Sequence, residues 1–370
     1  MKRLLSIMLA LMLVLSMAAT AFAADTGKED PTSPEAWLTK QYNDPVGRAA
    51  TFSFNVVQDK NGGPKLSIAD ISFAADHPSD KKASQLVFDT PTAAGEFSYY
   101  VTENSTFKPA LDDPDHEKMI MSKARYKVTI SVVETSGGVF AINQIVVDKV
   151  FDDNGNPATG KVDAGNPETG GNTGFIFVNT YAKEAGSDDP NYNTNGSLTI
   201  TKEVVDSTVD TEFEFKLTYF LPDIYGGVNP FTPTAVRSDG TSFVIAGPNP
   251  AVTTFTLKNG QSLKITGLPV GAKVSVTETA VAYYKPSVTT IIDGNRTVTT
   301  AESVGDGISI DTPALGAGEN KVEVVNTYIF TPPTGVILNV LPYVLMVAIA
   351  GGMIVLFTVM KRRKAQDNED

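Results

Sequence analysis

Short runs in which apolar and polar residues alternate recur along most of the chain. Residues 51–56, 126–132 and 212–217 show the alternation most clearly, and a period of two is typical of strands with one buried face. Val, Ile, Thr and aromatic residues are frequent in these runs, and Gly and Pro separate them, as in β-sandwiches. Helical periodicity is scarce, and its one moderate candidate, residues 115–123, is predicted to be a crossover turn. The pattern predicts an all-β fold of two Ig-like sandwiches.

Both ends of the chain carry targeting patterns. A basic start, an apolar run and the sequence Ala21-Phe22-Ala23 predict a secretory signal peptide over residues 1–23. Residues 336–360 are uncharged and mostly apolar, which is long enough for a helix to cross a bilayer at about 1.5 Å per residue. The basic residues that follow predict a cytoplasmic tail over 361–370. The body of the chain is therefore predicted to lie outside the cell.

The part between the two ends divides into similar halves. A polar, proline-containing stretch at 183–195 predicts a linker between domains 34–182 and 196–330. Each half has a Lys near its start, a Val-Thr-Glu sequence in its middle and an Asn-Thr-Tyr sequence near its end. The repeated residues are Lys40, Glu103 and Asn179 in the first half and Lys202, Glu278 and Asn326 in the second. Each taken alone is an ordinary strand or turn residue, and their repetition in order favours a shared role.

These residue types can react together if the first and last strands of each sandwich are neighbours. The Lys amine then faces the Asn amide, and the Glu of the middle strand contacts both. Burial among aromatic residues lowers the pKa of the amine and raises the pKa of the acid, because it disfavours charge. A neutral amine is a nucleophile, and a neutral acid can hydrogen-bond the Asn carbonyl, move the proton and help to expel ammonia. The predicted product is one Lys–Asn isopeptide bond in each domain, formed without turnover.

Composition removes several functional classes. The net charge of −12 argues against nucleic-acid binding, because basic residues must neutralise phosphate. The chain has no Cys and only two His, which excludes disulfides, thiolate zinc sites and Cys nucleophiles. An acidic cluster at 112–117 is predicted to be a solvated loop rather than a Ca²⁺ site, and an EF-hand-like start at 152–156 has Pro157 where the loop requires Gly. We expect no metal and no cofactor, and no carboxylate pair marks a glycan-active enzyme.

The C-terminus resembles the cell-wall sorting signal of Gram-positive surface proteins, the substrate of sortase transpeptidases. The residues that carry the resemblance are Thr331, Pro332, Pro333, Thr334 and Gly335, followed by the apolar span and the basic tail. The resemblance implies cleavage between Thr334 and Gly335 and transfer of the new Thr carboxyl to an amine. Thr331 stands where Leu is commonest, which leaves the class of sortase open. A plain single-pass membrane anchor is the alternative.

The two ends and the repeated Lys, Glu and Asn resemble the two-domain major pilins of streptococcal type, whose sandwiches are CnaB-like and isopeptide-linked. The resemblance implies two bonds, each with its acid: Lys40 to Asn179 with Glu103, and Lys202 to Asn326 with Glu278. Glu134 is a rival acid in the first domain. Pilin polymerisation also needs an exposed Lys on the first domain, for which Lys161 is the candidate and Lys149 the next choice.

The resemblance implies a pilus backbone subunit, a structural protein of the Gram-positive cell wall that begins as a membrane-anchored precursor. It would not be an enzyme, and its partners would be sortase and other pilin subunits or peptidoglycan. The competing interpretation is a wall-anchored adhesin that presents the same sandwiches to a host or cell-surface ligand. A ladder of SDS-resistant multimers would favour the pilin, whereas a single anchored species would favour the adhesin.

Overall fold

The computed structural model describes residues 34–59, 62–76, 79–171, 174–329 and 334–366. The predicted signal peptide, residues 1–23, and residues 331–333 of the predicted sorting signal lie outside the described residues. The described part contains four β-sheets, one short helix, two short 3-10 turns and one long C-terminal helix. This architecture confirms the predicted all-β class.

The first sandwich contains eleven strands. They are β1 (Trp37–Asn43), β2 (Ala50–Gln58), β3 (Leu66–Ile68), β4 (Ile71–Phe73), β5 (Asp80–Phe88), β6 (Gly95–Lys108), β7 (Glu117–Ile120), β8 (Arg125–Glu134), β9 (Phe140–Phe151), β10 (Lys161–Val162) and β11 (Ile176–Lys183). The sheet β3-β5-β1-β11-β7 faces the sheet β10-β9-β8-β6-β2-β4. Alternate side chains from both sheets form one core, which includes Phe52, Val101, Tyr126 and Phe177, because each strand buries one face.

The second sandwich contains the next eleven strands. They are β12 (Leu198–Val205), β13 (Phe213–Phe220), β14 (Thr234–Arg237), β15 (Ser242–Val244), β16 (Thr253–Leu257), β17 (Ser262–Thr266), β18 (Lys273–Glu278), β19 (Tyr284–Ile292), β20 (Asn295–Thr300), β21 (Ile308–Asp311) and β22 (Asn320–Tyr328). The sheet β15-β14-β17-β12-β22-β19-β20 faces the sheet β16-β13-β18-β21. Its core includes Ile200, Phe215, Leu263 and Val324.

The first and last strands are parallel neighbours in both sandwiches. β1 pairs with β11, and β12 pairs with β22. Parallel neighbours need a crossover between them, and here the rest of the sandwich supplies it. The strands that carry the repeated Glu, β6 and β18, belong to the facing sheets. Lys, Asn and Glu therefore approach one another across the core.

Residues 115–123 differ from the prediction. The sequence predicts a crossover turn there, but the segment contains β7, which pairs antiparallel with β11. Its burial pattern opposes its hydrophobicity, since Glu117 is buried and Ile120 is exposed. An edge strand held by backbone pairing with its neighbour does not need the apolar alternation by which strands are predicted.

A folded segment joins the two sandwiches. It contains α1 (Tyr192–Asn195) and centres on Glu184, which is 6% exposed. One carboxylate oxygen of Glu184 accepts three hydrogen bonds, from the Tyr192 hydroxyl, the Ser197 hydroxyl and the backbone N–H of Gly267. The last of these donors belongs to the second sandwich. The polar residues of 183–195 therefore form hydrogen bonds within the segment and to the second sandwich, and among them Asp189 accepts from the backbone N–H of Asn191 at 2.8 Å as in an Asx turn.

A long helix, α2 (Thr334–Gln366), follows the second sandwich. Its segment Pro342–Arg362 has a mean hydropathy of 2.4 and is not buried within the protein. The length and composition are sufficient to cross a membrane. The predicted span 336–360 lies within α2, and the predicted cleavage position, between Thr334 and Gly335, lies at its first residues.

Candidate functional site

In the first sandwich, the structure brings Lys40, Glu103 and Asn179 together inside the core. The Lys40 Nζ lies 3.0 Å from the Glu103 Oε1, and the Asn179 Nδ2 donates to the same oxygen at 3.1 Å. Lys40 and Asn179 are 0% exposed, and the Glu103 side chain is equally inaccessible. Lys and Glu side chains are almost never fully buried unless they are paired, and here they pair with each other.

The second sandwich contains the same arrangement. The Lys202 Nζ lies 3.5 Å from the Glu278 Oε1, and the Asn326 Nδ2 donates to that oxygen at 2.8 Å. All three residues are 2% exposed. We call the two clusters the first and second triads. In each, one carboxylate oxygen contacts both nitrogens.

Strand register explains why the triads are equivalent. Lys40 lies opposite Phe177 in the β1–β11 pair, and Lys202 lies opposite Val324 in the β12–β22 pair. The Asn follows that partner by two residues in both sandwiches, and side chains two apart on a strand point to the same face. The same offset therefore brings the Asn amide beside the Lys amine on the inner face of both sheets.

An aromatic ring lies against each amine. Neither ring is among the predicted site residues. The Lys40 Nζ is 4.5 Å from the centre of the Phe52 ring, and the Lys202 Nζ is 4.3 Å from that of Phe213. Both rings belong to Phe-x-Phe sequences on β2 and β13. The sequence recurs 12 residues after Lys40 and 11 residues after Lys202, and this repeat is the signal by which the two rings could be assigned to the site.

Burial sets the protonation of both triads. It lowers the pKa of Lys40 and of Lys202 to about 8, although the neighbouring Glu opposes the shift. Burial also raises the pKa of Glu103 and of Glu278, and the Lys again opposes the shift. Both directions favour the neutral forms, because each amine loses its proton more readily and each acid keeps its proton more readily than in water. The cause in all four groups is the loss of hydration of the charged form.

The surroundings of the second carboxylate oxygen of each Glu favour the protonated, neutral acid. Glu103 Oε2 and Glu278 Oε2 are buried without a hydrogen-bond partner among the described residues. An ionised carboxylate with one desolvated, unpartnered oxygen is costly. A protonated acid beside a neutral amine reduces that cost, and it is also the state in which the amine is nucleophilic.

The other predicted residues lie apart from the triads. Glu134, the rival acid, is exposed at the end of β8. Lys161 is exposed on β10, at the edge of its sheet, whereas Lys149 is half-buried on β9 with its Nζ 5.6 Å from the Tyr126 ring centre. Thr334 and Gly335 begin α2.

The acidic loop at 112–117 is held by bonds within the protein. Asp113 accepts from the His116 ring at 2.8 Å, and this hydrogen bond lowers the pKa of the Asp113 carboxyl. Glu117 accepts from the backbone N–H of Asp112 at 3.2 Å. Within the described residues, no group of three or more His, Cys, Asp or Glu side chains is arranged to hold a metal ion.

Comparisons with known proteins match both parts of the chain. Residues 196–328 match a family described as a domain of unknown function, DUF7601. No curated protein matches. The chain is similar to the solved structure of the major pilin from Streptococcus pyogenes, with 17% identity, a TM-score of 0.34 and coverage of 81% of this chain and 100% of that chain. It is also similar to the T-13 major pilin from Streptococcus pyogenes, with 16% identity, a TM-score of 0.32 and coverage of 80% and 100%. A pilus-presented adhesin gives 10% identity, a TM-score of 0.28 and coverage of 81% and 100%.

Proposed function

We propose that this protein is a pilus backbone subunit, a cell-surface structural protein that cross-links itself once in each sandwich. The observation that carries the proposal is the pair of equivalent triads, each of which lies between a first and a last strand. A bond there encloses nearly the whole sandwich. Two such bonds suit a structural protein that must stay folded outside the cell, and similar solved structures include pilins.

The proposed reaction uses the atoms of each triad alone. The neutral Lys Nζ attacks the Asn Cγ, the amide Nδ2 leaves as ammonia, and a Lys–Asn amide bond remains. The Glu takes a proton from the attacking nitrogen and gives one to the leaving nitrogen, so it ends as it began. The single oxygen that contacts both nitrogens is placed for this transfer. No cofactor takes part and no turnover follows.

The two ends of the chain would provide for export, membrane anchoring and attachment to the wall. A sortase would cut between Thr334 and Gly335 and join Thr334 to an amine of another subunit or of peptidoglycan. The signal peptide would direct export and be removed, and α2 would hold the precursor at the membrane of a Gram-positive cell until then. The exposed Lys161 is the proposed amine on the first sandwich.

Intact mass tests the cross-links directly. We expect residues 24–330, produced as a folded protein, to be lighter than their sequence by two ammonias. Glu103→Ala and Glu278→Ala should each restore one ammonia, because each removes one proton-transfer group. The matched control is Glu134→Ala, which changes an exposed Glu outside the triads and should keep both deficits. A folded parent protein of full sequence mass would remove the chemistry and leave the adhesin as the better interpretation.

Multimer formation in the native host tests the assembly. We expect wall extracts to contain a ladder of SDS-resistant multimers that disappears in a Lys161→Arg strain, since guanidinium is not a nucleophile at neutral pH. The monomer should remain wall-anchored, because its sorting signal is intact. Lys149→Arg, which changes a half-buried lysine of the neighbouring strand, serves as the control and should keep the ladder. A parent strain with only one anchored species would contradict the pilin role.

A further inference from the structure

The two triads differ at the Asn carbonyl. In the first, the backbone N–H of Ser122 donates to the Asn179 Oδ1 at 2.7 Å. Because a backbone N–H can only donate, the atom that faces it must be the amide oxygen. The Asn179 Nδ2 must therefore face Glu103. The predicted hydrogen bond from the acid to the carbonyl is therefore wrong for this triad, in which Glu103 faces the nitrogen that would leave.

No such donor is present in the second triad. The Asn326 Oδ1 is buried and has no hydrogen-bond partner among the described residues. Nothing beside it fixes which end of the amide faces Glu278. The amide of Asn326 is thus held by Glu278 alone, whereas that of Asn179 is held from both sides.

The loop that carries Ser122 is itself anchored beside Asn179. The Ser122 hydroxyl donates to the Asp153 Oδ1 at 2.6 Å, and that oxygen also accepts from the backbone N–H of Val178 at 2.8 Å. Val178 directly precedes Asn179 on β11. Asp153 therefore connects the donor loop and the reacting strand through one oxygen, and among the described residues the second sandwich has no counterpart of this bridge.

We propose that the Ser122 backbone N–H is an oxyanion donor for the first isopeptide bond and that Asp153 is a positioning residue that holds it. The inference rests on the proposed cross-linking reaction. When the Lys40 Nζ lone pair forms the new bond to the Asn179 Cγ, the C=O π pair moves onto Oδ1, and the Ser122 N–H stabilises that negative charge. The pair returns to re-form C=O as the C–Nδ2 bond breaks. Glu103 moves one proton from Nζ to Nδ2, and ammonia leaves.

The geometry meets the requirement for such a donor. The Ser122 N–H is 2.7 Å from Oδ1 of the unreacted amide, close to the distance of about 2.7–3.1 Å at which oxyanion donors lie from the position that the charged oxygen takes up, and removing one such donor typically slows a reaction by about 100-fold or more. The Asn179 site is dry, since the residue is 0% exposed, and the absence of water strengthens the interaction. The first bond should therefore depend on Ser122, while the second should form without comparable help.

The rate of each bond can be followed in one experiment. The chain is produced as insoluble, unfolded protein, dissolved in denaturant, verified to have its full sequence mass and then refolded by dilution. Proteolysis and mass spectrometry then measure the linked peptide pairs 40/179 and 202/326 over time. Trp37, the only Trp, lies on β1 and reports refolding of the first sandwich by fluorescence. The 202/326 pair in the same molecule is the internal control.

The decisive variant replaces Ser122 with its α-hydroxy acid analogue, which turns the peptide N–H into an ester oxygen and keeps the side chain. We expect the 40/179 pair to link about 100-fold more slowly, with the 202/326 rate and the Trp37 refolding signal unchanged. Linking at the unmodified rate would overturn the assignment of Ser122. If the parent chain links neither pair, the proposed function fails first and this inference fails with it.

Asp153 provides a second, independent test. Asp153→Ala removes the shared oxygen and should slow the 40/179 pair by about tenfold, by analogy with the loss of a hydrogen-bonded supporting residue at a metal site, which costs about tenfold or more. Asp153→Asn keeps an oxygen acceptor without the charge and should restore most of the rate. If Asn behaves as Ala does, Asp153 acts through its charge and is not a positioning residue. A 202/326 rate that falls in parallel would also contradict the assignment.

Discussion

Blocking both cross-links should lower the free energy of unfolding by about 5 kcal/mol in each sandwich. The bonds would close loops of about 140 and about 120 residues, and on the chain-entropy model for disulfides a cross-link of that span contributes about 5 kcal/mol. For domains of this size the loss corresponds to roughly 15 °C in Tm. The change is Asn179→Ala combined with Asn326→Ala, and calorimetry of the mass-verified proteins measures it.

A second double variant distinguishes the stabilising effect of the bonds from that of the side chains that form them. Glu103→Gln combined with Glu278→Gln keeps the shape of the acids but removes proton transfer, so it should block the same bonds. If lost covalent closure causes the effect, both double variants should melt at similar temperatures. If the Asn→Ala chain melts lower and the Glu→Gln chain melts with the parent despite full sequence mass, side-chain packing rather than the bond stabilises the protein.

The residues of the triads could be predicted from the sequence more completely than the residues around them. Lys202, Glu278 and Asn326 are recognisable because they recur at matching places in the first half, and strand alternation puts each on an inner face. Proximity across the core follows once the first and last strands are neighbours. The alternation of apolar and polar residues predicts which face of a strand is buried, but it does not predict which strand lies beside it. The pairing of first and last strands could therefore not be predicted from it.

The residues that sequence reasoning missed depend on contacts between distant segments. Ser122 contributes a backbone N–H, and a backbone group has no signature in the sequence. Asp153 resembles any acidic turn residue until the fold brings it against Val178. β7 was missed for a related reason, since its pairing with β11 places a Glu inside and an Ile outside. In each case tertiary contact overrides the local pattern.

Pulling the folded protein from its two ends should give no unfolding step from either sandwich. Load that enters before Lys40 passes through the first bond to Asn179, and load that enters at Lys202 passes to Asn326, so the enclosed strands carry none. Asn179→Ala should release roughly 450 Å of extra length, and Asn326→Ala roughly 400 Å, at about 3.5 Å per residue. Single-molecule force spectroscopy measures these steps, and the mass of each sample establishes how many bonds it contains.

Each single variant is the control for the other, because it opens one sandwich to the load and leaves the other sandwich linked. The two step lengths differ, which identifies the sandwich that opened. Steps of these lengths in a parent protein that lacks two ammonias would mean that load bypasses the bonds.

Attachment through Lys161 in place of the N-terminus changes the path of the load, since Lys161 lies inside the loop that the first bond closes. In that geometry the second bond alone should bear the load, and Asn179→Ala should no longer release the strands that precede Lys161.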